Sequence, residues 1–226
     1  MRVFLLLFSV LFPQECEICG NTFPIKGQNY ICDNCLNSIY KMEFVYCHSC
    51  GKVTSNCQEC SVDRKFNDIR VFTRSNDRLT KIIAIYKLKP VKNLASSISS
   101  IIFDDITEFV LKNKVDLITY VPLYKKVQRE RGFNHLREIL VNIFPKKVVK
   151  EVLIKIKDTK LQMELSKEER ERNLRNAFVI RKLSEIEGKN ILIFDDIMTT
   201  GNTLLECYKE LKKGKPNKIF GYVIAR

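Results

Sequence analysis

The stretch ILIFDDIMTTGNT, residues 191–203, decides the fold class of this 226-residue chain. It passes from an apolar run typical of a buried strand, through two carboxylates, to a turn rich in hydroxyl groups. A helical pattern follows from about Asn202 to Lys213. Ligands of open parallel sheets bind at the carboxyl ends of the strands. The stretch therefore predicts a ligand site where a buried strand gives way to a helix.

Strand-like and helix-like segments alternate on both sides of this stretch. Apolar spacing predicts helices near 79–88, 94–111 and 133–143. The other segments predicted as strands are 69–73, 116–121, 148–156, 178–180 and 219–225. Buried strands that alternate with helices are typical of an α/β domain with a mainly parallel sheet.

The turn after the acid pair has the donors that a phosphate group needs. Thr199, Thr200 and Thr203 supply hydroxyl groups, and Gly201 lets the backbone approach a ligand closely. The new helix, which begins at about Asn202, directs its free N–H groups and its positive end toward the same place. This combination predicts a site for a phosphate monoester.

Asp195 and Asp196 lie one step earlier, where carboxylates can accept hydrogen bonds from the hydroxyl groups of a ribose. A phosphate at one end and a sugar diol at the other describe a ribose 5-phosphate. The alternative is that the acids and threonines only form a helix cap with its preceding turn. Two adjacent acids after an apolar run need an outlet to solvent or to a ligand, which favours the ligand site.

Eight of the nine cysteines form four C-x2-C pairs between residues 16 and 60. Two such pairs can supply the four thiolates of a tetrahedral, structural zinc site that has no open position for a substrate. The order of the pairs predicts two zinc ribbons in series, and a crossed pairing remains open. The first ribbon would use Cys16, Cys19, Cys32 and Cys35, and the second would use Cys47, Cys50, Cys57 and Cys60.

Charge and cysteine content divide the chain at the same place. Residues 1–65 hold six Lys/Arg and six Asp/Glu; the whole chain holds 39 and 26, so residues 66–226 hold 33 and 20 and carry the entire net charge of +13. We expect a zinc-ribbon domain over 1–64 and an α/β domain over 65–226. The excess charge predicts an anionic partner, either a phosphorylated small molecule or a nucleic acid, unless it is only a solvated surface.

No apolar run approaches the length of a membrane-spanning helix, which excludes an integral membrane protein. Residues 3–12 resemble the apolar part of a signal peptide, but no small-residue cleavage site follows. We therefore expect a short apolar helix that packs on the rest of the protein. A cytoplasmic location follows from this interpretation, and in that compartment cysteines bind metal more often than they form structural disulfides.

Basic side chains also follow the predicted strand at 116–121. Lys125, Lys126, Arg129 and Arg131 lie in what the sequence indicates is a loop, with Glu130 as its only acid. Arginine matches the oxygens of a pyrophosphate in bidentate fashion. A solvated basic turn is the alternative interpretation.

Residues 191–203 resemble the phosphoribosyl-pyrophosphate (PRPP) signature of type I phosphoribosyltransferases. The wider chain resembles the ComF family of competence proteins, which join a cysteine-rich zinc region to such a domain. The resemblance includes Val121-Pro122-Leu123, Arg131-Gly132-Phe133-Asn134 and the terminal Ala225-Arg226. The chain departs from the family pattern at four positions, which are Pro90, Tyr120, Tyr124 and His135.

This resemblance implies a type I phosphoribosyltransferase-like parallel sheet with a small N-terminal zinc-ribbon domain. It implies PRPP binding with Mg2+, and a flap that closes over the site. The implied PRPP-binding residues are Asp195, Asp196, Thr199, Thr200, Gly201, Asn202 and Thr203. The implied pyrophosphate side comprises Lys87, Val121, Pro122 and Leu123, beside Arg129 and Arg131. The implied flap includes Thr159, Gln162, Arg170 and Asn173, for which an exposed helix is the alternative.

Two classes of function fit these features. The first is a phosphoribosyltransferase that acts in the cytosol on, or beside, incoming single-stranded DNA during transformation. The second is a non-catalytic module that senses PRPP while its zinc region docks a competence helicase or single-stranded DNA. Nucleotide salvage is disfavoured, because such enzymes need no eight-cysteine appendage. The sequence names neither an acceptor nor a general base.

Overall fold

The structure is a computed structural model that describes residues 14–23, 30–39, 66–73, 78–88, 94–159 and 174–226. Three sequence predictions fall outside these ranges. They are the apolar helix near residues 3–12, the second cysteine set between 47 and 60, and the flap residues Gln162, Arg170 and Asn173.

The described part of the cysteine-rich region is small. Strand β1 (Gln14–Glu15) pairs antiparallel with β2 (Thr22–Phe23), and helix α1 (Asp33–Asn37) follows. Cys16, Cys32 and Cys35 are buried. These thiol-bearing residues take the central place that large apolar side chains occupy in a larger domain.

The α/β part follows the alternation that the sequence predicts. Its elements in chain order are β3 (Asp68–Thr73), α2 (Arg78–Leu88), α3 (Leu94–Lys112), β4 (Leu117–Tyr120), α4 (Lys125–Arg131), α5 (His135–Ile143), β5 (Leu153–Lys155), β6 (Phe178–Ile180), a 3-10 helix (Leu183–Glu185), β7 (Asn190–Ile197), α6 (Asn202–Lys212) and β8 (Lys218–Ala225).

Four of these strands form one parallel sheet in the order β3-β8-β7-β4. The central strand β7 is buried over Ile191–Phe194 and emerges only where the two acids begin. Such a strand reads as a continuous apolar run because helices cover both faces of the sheet. The predicted fold class, a phosphoribosyltransferase-like parallel sheet with a zinc-ribbon-like cysteine cluster before it, is confirmed.

The strand predicted over 148–156 is two pieces with different partners. Val149 forms an isolated parallel bridge with Ile118 of β4, whereas β5 pairs antiparallel with β6 in a separate two-stranded sheet. The chain leaves the main sheet between them, which apolar periodicity does not reveal.

The basic loop predicted after β4 is also corrected, because residues 125–131 form helix α4. The helix ends at Gly132, whose φ of 76° is left-handed and whose N–H donates to the carbonyl of Gln128. Five of its seven residues are charged, and this charge hides the helical period in the sequence.

A buried polar contact joins the sheet to α3. The Arg70 guanidinium donates to both oxygens of Asp105, at 2.6 and 3.2 Å, and the Tyr222 hydroxyl donates to Asp105 Oδ2 at 2.9 Å. Asp105 is buried and fully paired, so this network stabilises the packing of α3 on β3 and β8. Within the described ranges, no helix has both the length and the apolar character needed to cross a membrane.

Candidate functional site

The candidate site lies at the carboxyl ends of β4 and β7, as the sequence predicts. The two strands are parallel neighbours, and the N–H of Val121 donates to the carbonyl of Phe194 at 3.0 Å just beyond β4. Val121 and Pro122 are buried and Leu123 is half-buried. The chain after β4 is thereby fixed beside Asp195 and Asp196.

Asp196 is buried and engages both of its oxygens. Its Oδ1 lies 2.9 Å from Nζ of Lys87, and its Oδ2 lies 2.5 Å from Nε2 of His135. The backbone N–H of Ile197 also donates to Oδ1 at 2.6 Å. Burial by itself would raise the pKa of Asp196, but Lys87 and His135 lower that pKa well below its usual value. Asp196 is therefore a carboxylate held inside the protein.

Asp195 has a different environment. It is half-buried, and its Oδ1 accepts a hydrogen bond from the N–H of Asp196 at 2.9 Å. Burial and the negative charge of Asp196 raise the pKa of Asp195 to about 7, although Lys87 and Lys155 oppose the rise. Its Oδ2 has no hydrogen-bond partner within the described part of the chain. This oxygen is the acceptor of the pair that remains open to a ligand.

Two further side chains lie on the Asp195 side of the strand. Burial lowers the pKa of Lys155, and the negative charges near it, which include Asp195, oppose that change. Burial also raises the pKa of the Cys207 thiol well above its usual value, and the charge of Asp195 adds to the rise. Cys207, the one cysteine of the sequence outside the four C-x2-C pairs, is fully buried in α6 and packs as a small apolar residue.

The hydroxyl-rich turn leads from β7 into α6. Thr199 and Thr200 are exposed, and Gly201 precedes the helix with a left-handed φ of 76°. The N–H of Asn202 reaches Thr200 Oγ1 at 3.5 Å, and the buried Nδ2 of Asn202 has no partner among the described residues. With Thr203 at the start of α6, the turn presents hydroxyl and N–H donors at the positive end of a helix.

The basic side chains predicted near pyrophosphate are in two places. Arg129 is exposed and Arg131 is half-buried on α4. Tyr124, the residue before α4, forms a parallel bridge with Lys155, which brings α4 beside β5. Lys87 instead contacts Asp196 and lies at the acid pair.

Of the four flap residues, the structure describes only Thr159, which is half-buried in irregular chain after β5. The other three lie in 160–173, outside the described ranges. The assignment of a flap stays a prediction.

The first cysteine set comes together as predicted. The Sγ atoms of Cys16, Cys19, Cys32 and Cys35 all lie within 4.8 Å of one another, and those of Cys19 and Cys32 are 3.8 Å apart. A tetrahedral zinc with Zn–S bonds near 2.3 Å places its sulfurs about 3.8 Å apart. The four residues therefore fit a structural zinc ion.

Local hydrogen bonds prepare one of these thiols as a ligand. The N–H of Cys32 donates to Cys16 Sγ at 3.4 Å. Burial raises the pKa of Cys16, but backbone hydrogen bonds from Cys32, Cys19 and Ile18 outweigh it and lower the pKa to about 6. A thiolate, not a thiol, binds zinc.

Sequence reasoning missed the role of His135 and the position of Lys155. His135 is buried at the start of α5, and its Nδ1 has no partner in the described structure. It directly follows the motif at 131–134, where it departs from the family pattern, and that departure was the available signal. Nothing in the sequence around Lys155 marks it as a neighbour of Asp195.

Comparison with known proteins supports this architecture. A family model described as "Phosphoribosyl transferase domain" matches residues 135–226, and one described as "Double zinc ribbon domain" matches residues 7–63. The first match contains the acid pair and the hydroxyl-rich turn. The second contains all eight clustered cysteines.

Curated relatives span both parts of the chain. The chain is 25% identical over 217 residues to "Competence protein ComFC" of Bacillus subtilis, covering 90% of this chain and 87% of the relative. It is 25% identical over 227 residues to "Competence protein F" of Haemophilus influenzae, covering 95% and 98%. It is 35% identical over 94 residues to "DNA utilization protein YhgH" of Escherichia coli, covering 40% of each. Over nearly its whole length the chain is therefore similar to two competence proteins, and its two parts match models of a double zinc ribbon domain and of a phosphoribosyl transferase domain, in that order.

Proposed function

We propose that the chain binds PRPP with Mg2+ and acts as a phosphoribosyltransferase-like protein in the uptake and use of DNA. One observation carries the proposal. A half-buried carboxylate with an open oxygen, Asp195, stands at the end of a parallel strand, directly before a hydroxyl-rich turn at a helix N-terminus. A carboxylate that can accept hydrogen bonds from sugar hydroxyls, next to donors that suit a phosphate, fits a phosphorylated sugar.

The two ends of the ligand have different partners in this proposal. The 5-phosphate accepts hydrogen bonds from the turn at 199–203, where the backbone after Gly201 begins α6. The ribose diol donates to Asp195. Val121, Pro122 and Leu123 form the neighbouring wall, and Arg129 and Arg131 on α4 face the pyrophosphate. The acid pair and the turn lie within the residues that match the phosphoribosyl transferase domain model, whereas residues 121–131 precede that match and are assigned from their position beside the acid pair.

The donor set of the site also suits a ligand that arrives with Mg2+. Both oxygens of Asp196 are engaged with other protein groups, so that carboxylate offers the ion no free atom. Mg2+ keeps several waters and commonly binds through substrate phosphates, which fits an ion held by the pyrophosphate. When bound, it would neutralise charge that develops on the leaving pyrophosphate.

If turnover occurs, a nitrogen of the acceptor attacks the ribose carbon that bears the pyrophosphate. A bond from nitrogen to carbon forms, the bond from carbon to oxygen breaks, and pyrophosphate leaves with the bonding electrons. The chain supplies positioning and electrostatic stabilisation. A base from the acceptor or from solvent takes the proton of the attacking nitrogen.

The link to DNA rests on the relatives and on charge. Two relatives that span nearly the whole chain carry the word competence in their names, and a third is named for DNA utilization. Residues 66–226 hold all of the +13 net charge, so we place the single-stranded DNA contact on the α/β domain in the cytoplasm. A helicase partner would dock on the zinc-ribbon domain.

The salt dependence of DNA binding tests this placement. Binding to single-stranded DNA should weaken steeply with salt, by about 0.7 in the slope of log affinity against log salt for each phosphate contact. Equal affinity and equal slope should be found for the full chain and for a variant with the first cysteine set replaced by serine. A loss of binding in that serine variant, with the α/β domain still folded, would place the DNA site on the zinc region.

A second candidate, a PRPP sensor without turnover, is favoured by the pairing of Asp196 with His135. Both side chains are buried, at 4% and 6% exposure, so neither the carboxylate nor the partnerless Nδ1 of His135 is open to an acceptor. The deciding experiment measures pyrophosphate release from PRPP with purified protein, a panel of bases and single-stranded DNA. Release that depends on one acceptor supports the enzyme, and tight PRPP binding without release supports the sensor. Absence of PRPP binding in calorimetry contradicts both.

A further inference from the structure

The two acids of β7 point to opposite faces of the sheet. Adjacent side chains in a strand alternate between its faces, and β7 extends through Ile197, so it contains both acids. Asp196 meets Lys87 of α2 and His135 of α5. Asp195 is on the side of Lys155 and Cys207. The two carboxylates are adjacent in the sequence and belong to one motif, but they lie in two different environments.

Asp196 has few places left for a ligand. Its Oδ1 accepts from Lys87 Nζ and from the N–H of Ile197, and its Oδ2 lies 2.5 Å from His135 Nε2. Its side chain is only 6% exposed. A sugar diol could reach it only by displacing a buried, charge-assisted contact, and leaving such a charge unpaired is costly.

We propose that His135 is a positioning residue that, with Lys87, fixes Asp196 as an internal anchor and so leaves Asp195 as the single carboxylate that meets the ribose diol. This inference rests on the proposed PRPP site and divides its two acids into an anchor and a ligand. It differs from the expectation that both acids hold the ribose.

His135 is better suited to this role than Lys87. Its ring is 4% exposed, and Tyr86 packs edge-on to it with ring centroids 6.1 Å apart. The Tyr86 hydroxyl donates to the His135 carbonyl at 3.4 Å. The Lys87 side chain is 30% exposed and flexible, so ligand or solvent can compete for it. The buried imidazole has no such freedom.

The environment of Asp195 agrees with a ligand role. The charged and titratable groups that face it are Asp196 on its own strand, Lys87 from α2, Lys155 from β5 and Cys207 from α6. The pKa of Asp195 is raised to about 7, so its ionised form is poorly satisfied without a ligand. Hydroxyl donors from a ribose would supply the missing hydrogen bonds.

The first experiment examines His135 without PRPP. The chain has two histidines, His48 and His135, so nitrogen-15 spectra of the imidazoles can be assigned with a His48→Gln variant. We expect a proton on Nε2 of His135, donated to Asp196. Asp196→Asn should shift the His135 signals, whereas Asp195→Asn should leave them in place. An unprotonated Nε2 at pH 7, or equal shifts of the His135 signals in both variants, would contradict the proposal that His135 holds Asp196 in place.

The second experiment measures PRPP affinity by calorimetry with Mg2+. Asp195→Asn should weaken binding at least about tenfold, since a charged acceptor is lost. His135→Gln keeps an N–H donor for Asp196 and should hold the affinity within about threefold. His135→Leu removes that donor and should weaken binding about tenfold, with a cooperative melt retained. Equal affinities for the Gln and Leu variants contradict a positioning role.

The pH profile separates the anchor from the ligand. In the wild type, PRPP affinity should rise as Asp195 ionises near pH 7. Asp195→Asn should lack this ionisation. Any pH dependence of PRPP affinity that remains in this variant comes from titration of the PRPP phosphates and can be subtracted from the wild-type profile. Asp196→Asn should move the ionisation of Asp195 to lower pH, because a negative neighbour is gone.

If Asp196→Asn abolishes PRPP binding while Asp195→Asn binds PRPP normally, the roles of the two carboxylates are the reverse of those proposed. If the wild type binds no PRPP, the proposed function is contradicted. The imidazole spectra still test whether His135 donates to Asp196, because they are recorded without PRPP.

Discussion

Lys87 and Asp196 are 109 residues apart in the chain, yet Nζ of one lies 2.9 Å from Oδ1 of the other. This contact joins the end of α2 to the end of β7. It places a cation at the acid pair, where Lys87 contacts Asp196 and its charge also opposes the rise in the pKa of Asp195. The charge of the candidate site therefore depends on a helix that precedes it by half the length of the chain.

Replacing Lys87 should destabilise the protein. Lys87→Met removes one of the two cationic partners of a buried carboxylate, and we expect a loss of about 1–3 kcal/mol in the free energy of unfolding. Lys81→Met, on an exposed position of the same helix, is the matched control and should cost little. Urea denaturation at pH 7 measures both. Adding Asp196→Asn to Lys87→Met should recover part of the loss, and strict additivity would contradict the coupling.

The raised pKa of Asp195 predicts a pH-dependent stability. The folded protein holds the carboxyl proton of Asp195 more tightly than the unfolded chain does, in which the pKa of Asp is 3.8. The stabilisation is therefore complete below about pH 4 and is lost as the pH rises through about 7. Asp195→Asn should be more stable than the wild type at pH 8, by about 1–3 kcal/mol after allowance for partial exposure, and equal to it at pH 4.

Thermal melts at the two pH values measure this effect. Asp104→Asn, at an exposed position of α3, is the control and should behave as the wild type at both. If Asp195→Asn is more stable than the wild type and no longer binds PRPP, then the ionisable group at this position lowers the stability of the fold but is needed for the ligand. An Asp195→Asn protein that is less stable at pH 8 contradicts the raised pKa.

Gly201 should matter for the ligand as well as for the fold. Its φ of 76° is left-handed, while an added Cβ would only touch Met198 Sδ at 3.5 Å, so the cost of alanine comes from backbone strain. Gly201→Ala should lose about 1–2 kcal/mol of stability and shift the turn that holds the phosphate. Gly188→Ala, at a φ of 68° in open space and separated from the turn by strand β7, should cost the same stability.

Calorimetry with PRPP distinguishes the two glycine variants. Only Gly201→Ala should weaken binding, because only its strain falls in the hydroxyl-rich turn. Equal PRPP affinities for the two variants would argue against phosphate binding at this turn.

The cysteines predict about two zinc ions per chain, since eight thiolates fill two tetrahedral shells. Metal analysis of protein prepared without added zinc should find both. Cys35→Ser should lose about one ion, because its sulfur is in the four-thiol cluster. Cys207→Ser is the control and should keep both ions, since its thiol is buried in α6 beside Asp195. One ion or none in the wild type would contradict the two-ribbon arrangement.

The elements that sequence predicted well are those with strong local periodicity. β7 with its following helix α6, and α3 with its long apolar stripe, lie within a few residues of their predicted bounds. The sequence predicts a loop in place of helix α4 because the charges of this helix hide its period. It predicts a single strand over 148–156 because a change of pairing partner leaves no mark on apolar spacing.

The sequence by itself indicated where the candidate site is and which atoms it offers. A buried strand, two acids, three threonines and a glycine are contiguous, and the four C-x2-C pairs are local, so short-range spacing specifies their chemistry. Only the tertiary structure decided that the two acids differ. Strand geometry turns them to opposite faces, and distant helices then bring Lys87 and His135 to one of them. That choice depends on packing between segments that are 61 and 109 residues from Asp196, and no local pattern contains it.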